Sequence, residues 1–272
     1  LFGVEGILDQ QGINLDLSSL LFISSVIGFA GSFISLMTSK WIAKRTMGVI
    51  IIETPKNSTE EWLVEVLEKI SSKAQINTPE LGIFKSNQLN AFATGSSKNK
   101  SLIALSSGLI TQMEKDEIEA VIAHEVSHVS SGDMITMSLI QGVINTFVIF
   151  FSRIFGHVVD RVIFKVQRGH GPAYFITSII AQILLSILAN IIVMWFSRKR
   201  EYAADSSAAT LVGSSKMISA LKTLSLKSKT NLPDQMAAFG ISGKEETSFK
   251  SLFSSHPSIE SRIDALLKHP KN

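Results

Sequence analysis

Three stretches of the chain carry no charge for long enough to cross a bilayer. They are residues 17–39, between Asp16 and Lys40; 134–152, between Asp133 and Arg153; and 171–197, between His170 and Arg198. A crossing takes roughly 20 apolar residues. Small residues within the runs, Gly28 and Gly31 among them, are common where membrane helices pack. Buried helices of a large soluble core are the other reading, and it is most open for the second run, which holds Gln141 and Asn145.

The pattern changes between these runs. Ser58 followed by Glu61 has the form of a capping box, opening a helix with an apolar face through Trp62, Val66 and Ile70. Strand-like runs follow at Leu81–Phe84, Ala91–Thr94 and Leu102–Leu105, and the turn Gly95–Lys100 joins the last two as a hairpin with a loop longer than the tightest types. A further helix starts near Glu114–Glu117, acids at its positive end, and runs through His128. Helical patterns return near 201–212, 215–227 and 258–267. The organisation predicted is a membrane segment over 1–39, the first half of a catalytic domain over 40–133, a membrane hairpin over 134–197 and a second catalytic half over 198–272. The fold class is α+β, mainly helical, an integral-membrane zincin-like arrangement with a small β-sheet.

Composition agrees. Of 272 residues, 45% are hydrophobic and 18% charged, with a mean hydropathy of +0.28. The net charge of +3 comes without a basic run interleaved with aromatics, which argues against nucleic acid as a partner. There is no cysteine, so disulfides and thiolate metal sites are excluded, and any metal must be held by His, Asp and Glu.

Such a set exists. His124-Glu125-Val126-Ser127-His128 is an H-E-x-x-H sequence. On a helix, residues four apart share a face about 5–6 Å from each other, so both imidazoles can reach one zinc ion. Glu125 sits beside the first ligand, placed to take a proton from the attacking water as general base. The alternative is two exposed histidines on an ordinary helix. A catalytic zinc needs a third protein ligand, and Glu201 is the candidate, with Asp205 four residues on to orient one imidazole. Spacing alone leaves a solvated charge cluster behind the third span equally open. Two spans separate His128 from Glu201, and two crossings return the chain to the side it left, so the residues can meet.

At this point the chain resembles the HtpX family, bacterial membrane zinc endopeptidases of the gluzincin group related to the CAAX-prenyl endopeptidases. The likeness includes Asn90-Ala91-Phe92-Ala93-Thr94-Gly95, Ala120–Glu125, Gly132-Asp133-Met134, Trp195-Phe196-Ser197-Arg198, and His256-Pro257-Ser258 followed by Arg262-Ile263. The resemblance implies one Zn2+ per chain, polypeptide or membrane-protein substrates, quality control of membrane proteins, and an active site facing the cytoplasm from the inner membrane. It implies that Asn90, Ala91, Phe92, Ala93 and Thr94 form an edge strand for substrate, an interior strand being the alternative. It also gives His256 and Arg262 catalytic positions beside the oxyanion, although a His before Pro is otherwise a turn residue. Arg198 is placed to help neutralise Glu201 or Asp205. The family has a further N-terminal helix, and Leu1 and the next residues read as its tail.

Lys40, Lys44 and Arg45 after the first span, and Arg198–Arg200 after the third, place the site in the cytoplasm by the positive-inside tendency. Arg153, Arg161, Lys165 and Arg168 against Asp160 in the intervening loop oppose it. His157 and His170 in that loop read as interface residues and not ligands. Three rivals are a protease with its motif within lipid, a membrane metal-binding or transport protein without peptidase activity, and a structural anchor. The acids Glu114, Asp116, Glu117 and Glu119 before the motif weigh against the first, and the absence of carboxylates within the spans weighs against the second.

Overall fold

The structure, a computed structural model, describes residues 16–166, 169–230 and 256–268. The expected tail of an upstream helix and Arg168 lie outside the described residues. The chain divides into two units, one formed by residues through Ser35 with Met137–Val193, the other by Leu36–Thr136 with the residues from Met194 onward.

The first unit is helical. Helix α1 spans Leu17–Met47, α5 spans Asp133–Val158 and continues as a π-helical turn over Val159–Ile163, and α6 spans Pro172–Val212. All three are long and apolar enough to cross a membrane. Asp16 caps α1, its Oδ1 accepting from the amides of Ser18 and Ser19 at 3.0 Å. Large apolar side chains such as Phe22, Phe33, Leu139 and Ile183 point outward, the pattern that suits lipid. Helices α1 and α5 meet through small residues. A Cβ on Gly28 would stand 2.7 Å from the backbone nitrogen of Thr146, and one on Gly142 would stand 2.8 Å from the Phe29 ring. Such close backbone approach is how membrane helices gain van der Waals contact. Gly31 takes no part and faces open space. Ser138 Oγ donates across the same seam to Ser32 O at 2.9 Å.

The second unit holds a four-stranded mixed sheet in the order β1-β2-β4-β3, with β1 Ile50–Ile51, β2 Glu80–Phe84, β3 Ala91–Ser97 and β4 Lys100–Ser106. Strands β2 and β4 are parallel; the other pairs are antiparallel. The expected hairpin is present, but its connection is tighter than the sequence suggested. Pairing continues to Ser97 opposite Lys100, with an irregularity between Gly95 and Ser97. Gly95 makes this possible at φ +147, where a Cβ would meet Lys100 O at 2.2 Å.

Helix α2, Ser58–Lys73, contributes Leu63, Leu67 and Ile70 to the buried core that also holds the sheet residues Leu81, Ile103 and Leu105. Its cap is Asn57, one residue before the expected Ser58, with Asn57 Oδ1 accepting from Glu60 N at 2.9 Å. The short helix α3, Ser107–Gln112, leads to α4, Lys115–Ser131, which runs through the middle of the core. Ile118, Ile122, Val126 and Val129 are fully or almost fully buried. Helix α7, Ser214–Thr230, covers α4 with Met217 and Leu221, and α8, Ile259–Lys268, adds Leu266. The buried Glu117 ties α4 to α7, accepting from Ser219 Oγ at 2.8 Å and Thr223 Oγ1 at 2.6 Å.

Candidate active site

Helix α4 is fixed at both ends. Glu117 Oε2 accepts from Glu114 N at 3.1 Å at its start, and Gly132 in the left-handed conformation, φ +71, closes it. Between them, one turn presents His124, Glu125 and His128, all buried. The Nε2 atoms of the two imidazoles stand 3.1 Å apart. Glu201, delivered by α6, brings one carboxylate oxygen to 3.4 Å from His124 Nε2 and the other to 3.4 Å from His128 Nε2. His124, His128 and Glu201 are the group of ligating side chains, among the described residues, whose donor atoms converge tightly enough to hold an ion.

The donor set fits a divalent metal. Ligands at about 2.0–2.1 Å from a tetrahedral ion stand about 3.3–3.4 Å from each other, close to the separations observed. Glu201 is buried and turns both carboxylate oxygens toward the two imidazoles, acceptors suited to a cation. Burial pushes the His128 imidazole toward neutrality, but Asp133 and Glu201 outweigh it and lift its pKa to about 9. His124 is likewise raised, burial being outweighed by Asp205 and Glu201. The field that favours a proton on these rings favours a cation on the same lone pairs.

Each imidazole is held from behind by a carboxylate and an arginine. His124 Nδ1 lies 3.0 Å from Asp205 Oδ1, and Arg262 grips Asp205 with Nε and Nη2 at 2.7 and 2.6 Å. His128 Nδ1 lies 2.6 Å from Asp133 Oδ2, and Arg200 Nε stands 2.9 Å from the same oxygen. Burial would raise both aspartates, but Arg262 and His124 hold Asp205 below the usual carboxylate range, and His128 and Arg200 do the same for Asp133. His256 Nδ1 is 2.8 Å from Glu201 Oε2, and Arg262 Nη1 is 3.6 Å from it.

A groove of about 150 Å³ opens on this cluster, lined by Asn90, Ala91, Val121, Glu125, Met217, Leu224 and His256 as well as His124, Glu201 and Arg262. Strand β3 borders the sheet on this side as an edge strand, and Asn90 lies just before it, its amide donating to Ser106 Oγ at 3.1 Å. Phe92 tilts against Phe84, 5.6 Å between ring centroids, while Ala93 and Thr94 pair with Ile103 and Leu102. Arg198 stands three residues before Glu201 on α6. His157 and His170 lie near the turn between α5 and α6, with the His170 ring tilted against Tyr174, 3.9 Å between ring centroids.

Sequence reasoning missed Asp133 and Arg200. Asp133 reads as the polar flank of a span and Arg200 as one of three flanking cations. The signal was Gly132: an αL glycine ending the motif helix folds the next residue back toward it.

Fold and site together define a membrane-embedded metallopeptidase of the H-E-x-x-H type. Comparison with known proteins makes this specific. Residues 57–269 match Peptidase family M48. The chain is 57% identical over 267 residues to Protease HtpX of Thioalkalivibrio sulfidiphilus, covering 98% of this chain and 90% of that one. It is 55% identical to Protease HtpX of Pseudoalteromonas atlantica, covering 98% and 92%. The crystal structure of S. mikatae Ste24p shares the fold at a TM-score of 0.67 and 20% identity, over 90% of this chain and 58% of that one. The chain belongs to peptidase family M48 and, within it, to the HtpX proteases.

Proposed function

We propose that the protein is a zinc-dependent endopeptidase of the bacterial inner membrane that cleaves unfolded or damaged membrane proteins from the cytoplasmic side. The observation that carries this reading is the convergence of His124, His128 and Glu201 beside Glu125 at the floor of a groove bordered by a sheet edge. Zinc bound there would polarise the scissile carbonyl and acidify a water.

The chain's own residues do the rest. Glu125 takes the water's proton and hands a proton to the departing amine. The edge at Asn90–Thr94 offers backbone N–H and C=O groups to an extended substrate independently of its side chains, which suits a protease with many clients. His256 lines the groove with 61% of its side chain exposed, which supports a role for it at the developing oxyanion. Arg262 is buried and committed to Asp205. Its contribution is therefore to hold Asp205 and Glu201, and the oxyanion falls to His256.

Membrane side is supported by interfacial anchors. Trp41 and Trp195 each carry a cation one turn later, Arg45 at 5.9 Å and Lys199 at 4.0 Å from the ring centroids, the aromatic and basic flanks expected at a cytoplasmic interface. Arg161, one of the cations that oppose this orientation, turns onto the loop carbonyls of Val166 and Gly169.

The test is cleavage of an unfolded polypeptide by the purified full chain. Activity lost to a chelator, restored by zinc and absent from Glu125→Gln supports the reading. Chelator-resistant cleavage, or full activity in Glu125→Gln, refutes it.

A further inference from the structure

The two metal-facing imidazoles are braced differently. Arg262 holds Asp205 with two nitrogens, and both lie on helices that pack in the second unit. The brace on His128 draws on both hairpin helices, the first residue of α5 and a residue in the interior of α6, the helix that also carries Asp205. Asp133 is the first residue of α5, and Arg200 immediately precedes Glu201 on α6. On an unbroken helix, Asp133, five residues beyond His128, would face roughly 140° away. The left-handed turn at Gly132 returns it, so that its carboxylate meets His128 Nδ1 at 2.6 Å. Arg200 Nε reaches the same oxygen at 2.9 Å, and Asp133 is buried.

We propose that Asp133 and Arg200 act as one positioning pair for His128, and that this pair sets how tightly the site holds its metal. The inference rests on the metal-site reading above. Asp133 accepts from Nδ1–H, which fixes the tautomer and turns the Nε2 lone pair toward Glu201 and His124. Arg200, its Nε 2.9 Å from the same oxygen, holds that carboxylate in place. Because Asp133 opens α5 just before its uncharged run and Arg200 follows the uncharged run of α6, the metal's second imidazole is aimed by residues flanking the two apolar runs, and not from within α4.

The experiment uses the full chain in detergent micelles. Zinc affinity is measured by competition with a chromophoric chelator, and kcat and KM on an unfolded polypeptide at saturating zinc. Asp133→Asn and Arg200→Ala are each expected to weaken zinc binding roughly 10- to 100-fold, with KM for substrate unchanged. The double variant is expected to be no weaker than the weaker single, because the two act as one unit. Arg200→Gln, close in length and neutral, gives the same reading where Arg200→Ala does not fold. Glu201→Gln is measured in parallel. Zinc lost from Glu201→Gln but held at parental affinity by both Asp133→Asn and Arg200→Gln overturns the positioning pair alone. Parental affinity in all three overturns the metal site itself. Additive losses in the double variant overturn the claim that the two residues act as a pair.

Discussion

Asp205 stands between His124 and Arg262, 3.0 Å from the imidazole Nδ1 and held by two guanidinium nitrogens at 2.7 and 2.6 Å. The arrangement joins three distant parts of the chain, the motif helix, the end of the third apolar helix and the last described helix, in one buried set of charges. It explains why Arg262 is buried while the other cations among the described residues are exposed or half-buried.

Arg262→Leu should therefore destabilise the fold as well as the site. Removing Arg262 leaves the buried Asp205 with only the His124 ring as a partner, a loss of up to about 3–5 kcal/mol. Thermal unfolding should show a large drop, and Asp205→Asn/Arg262→Leu should recover part of it. Equal Tm values for Arg262→Leu and the parent would remove the basis for the assigned role.

Glu125→Gln should keep its zinc and its thermal stability while losing roughly 10²- to 10⁴-fold in turnover, the usual contribution of a positioned base. Glu125 is in the groove but outside the converging donor set. Elemental analysis of the same sample used for kinetics checks both halves of the statement.

The seam between α1 and α5 tolerates no side chain at Gly28. Gly28→Leu should lower stability by about 1–3 kcal/mol through overpacking, because a Cβ already meets Thr146 backbone at 2.7 Å. Gly31→Leu, facing open space three residues away, should be close to neutral in the same unfolding assay. Equal losses at the two positions would count against the packing described.

A small acid-sensitive contribution comes from Glu80, which accepts from Lys44 at 3.0 Å and also from Lys40. Burial would raise its carboxyl, but the two ammonium groups hold it below the ordinary value. A carboxyl depressed on folding stabilises at neutral pH, and that stabilisation is lost as pH falls through the depressed value. The group is partly exposed, so the amount is under about 1 kcal/mol. Glu80→Gln should be slightly less stable than the parent at pH 7, with the difference vanishing in acid and shrinking in high salt.

Much of this was legible in the residues because the relevant signals are local. Uncharged runs marked the apolar helices, and four-residue spacing put His124 with His128 and Glu201 with Asp205. The strand positions Ala91–Thr94 and Leu102–Leu105 followed from their apolar runs. What escaped depends on backbone geometry that a pattern does not display. The cap at Asn57 displaced the expected Ser58 because Glu60, and not Glu61, is the residue whose amide it meets. The hairpin tightened because Gly95 accepts a conformation closed to other residues. Asp133 and Arg200 were hidden for the same reason: their partnership exists only once Gly132 reverses the chain.

His124, His128 and Glu201 are expected to bind one ion together. Zinc-edge X-ray absorption on the purified full chain, compared with Glu201→Gln, tests it most directly. One zinc per chain is expected, with two imidazole nitrogens and carboxylate oxygen in its coordination sphere, and a spectrum that changes or disappears in the variant. An identical spectrum and stoichiometry in Glu201→Gln would contradict it.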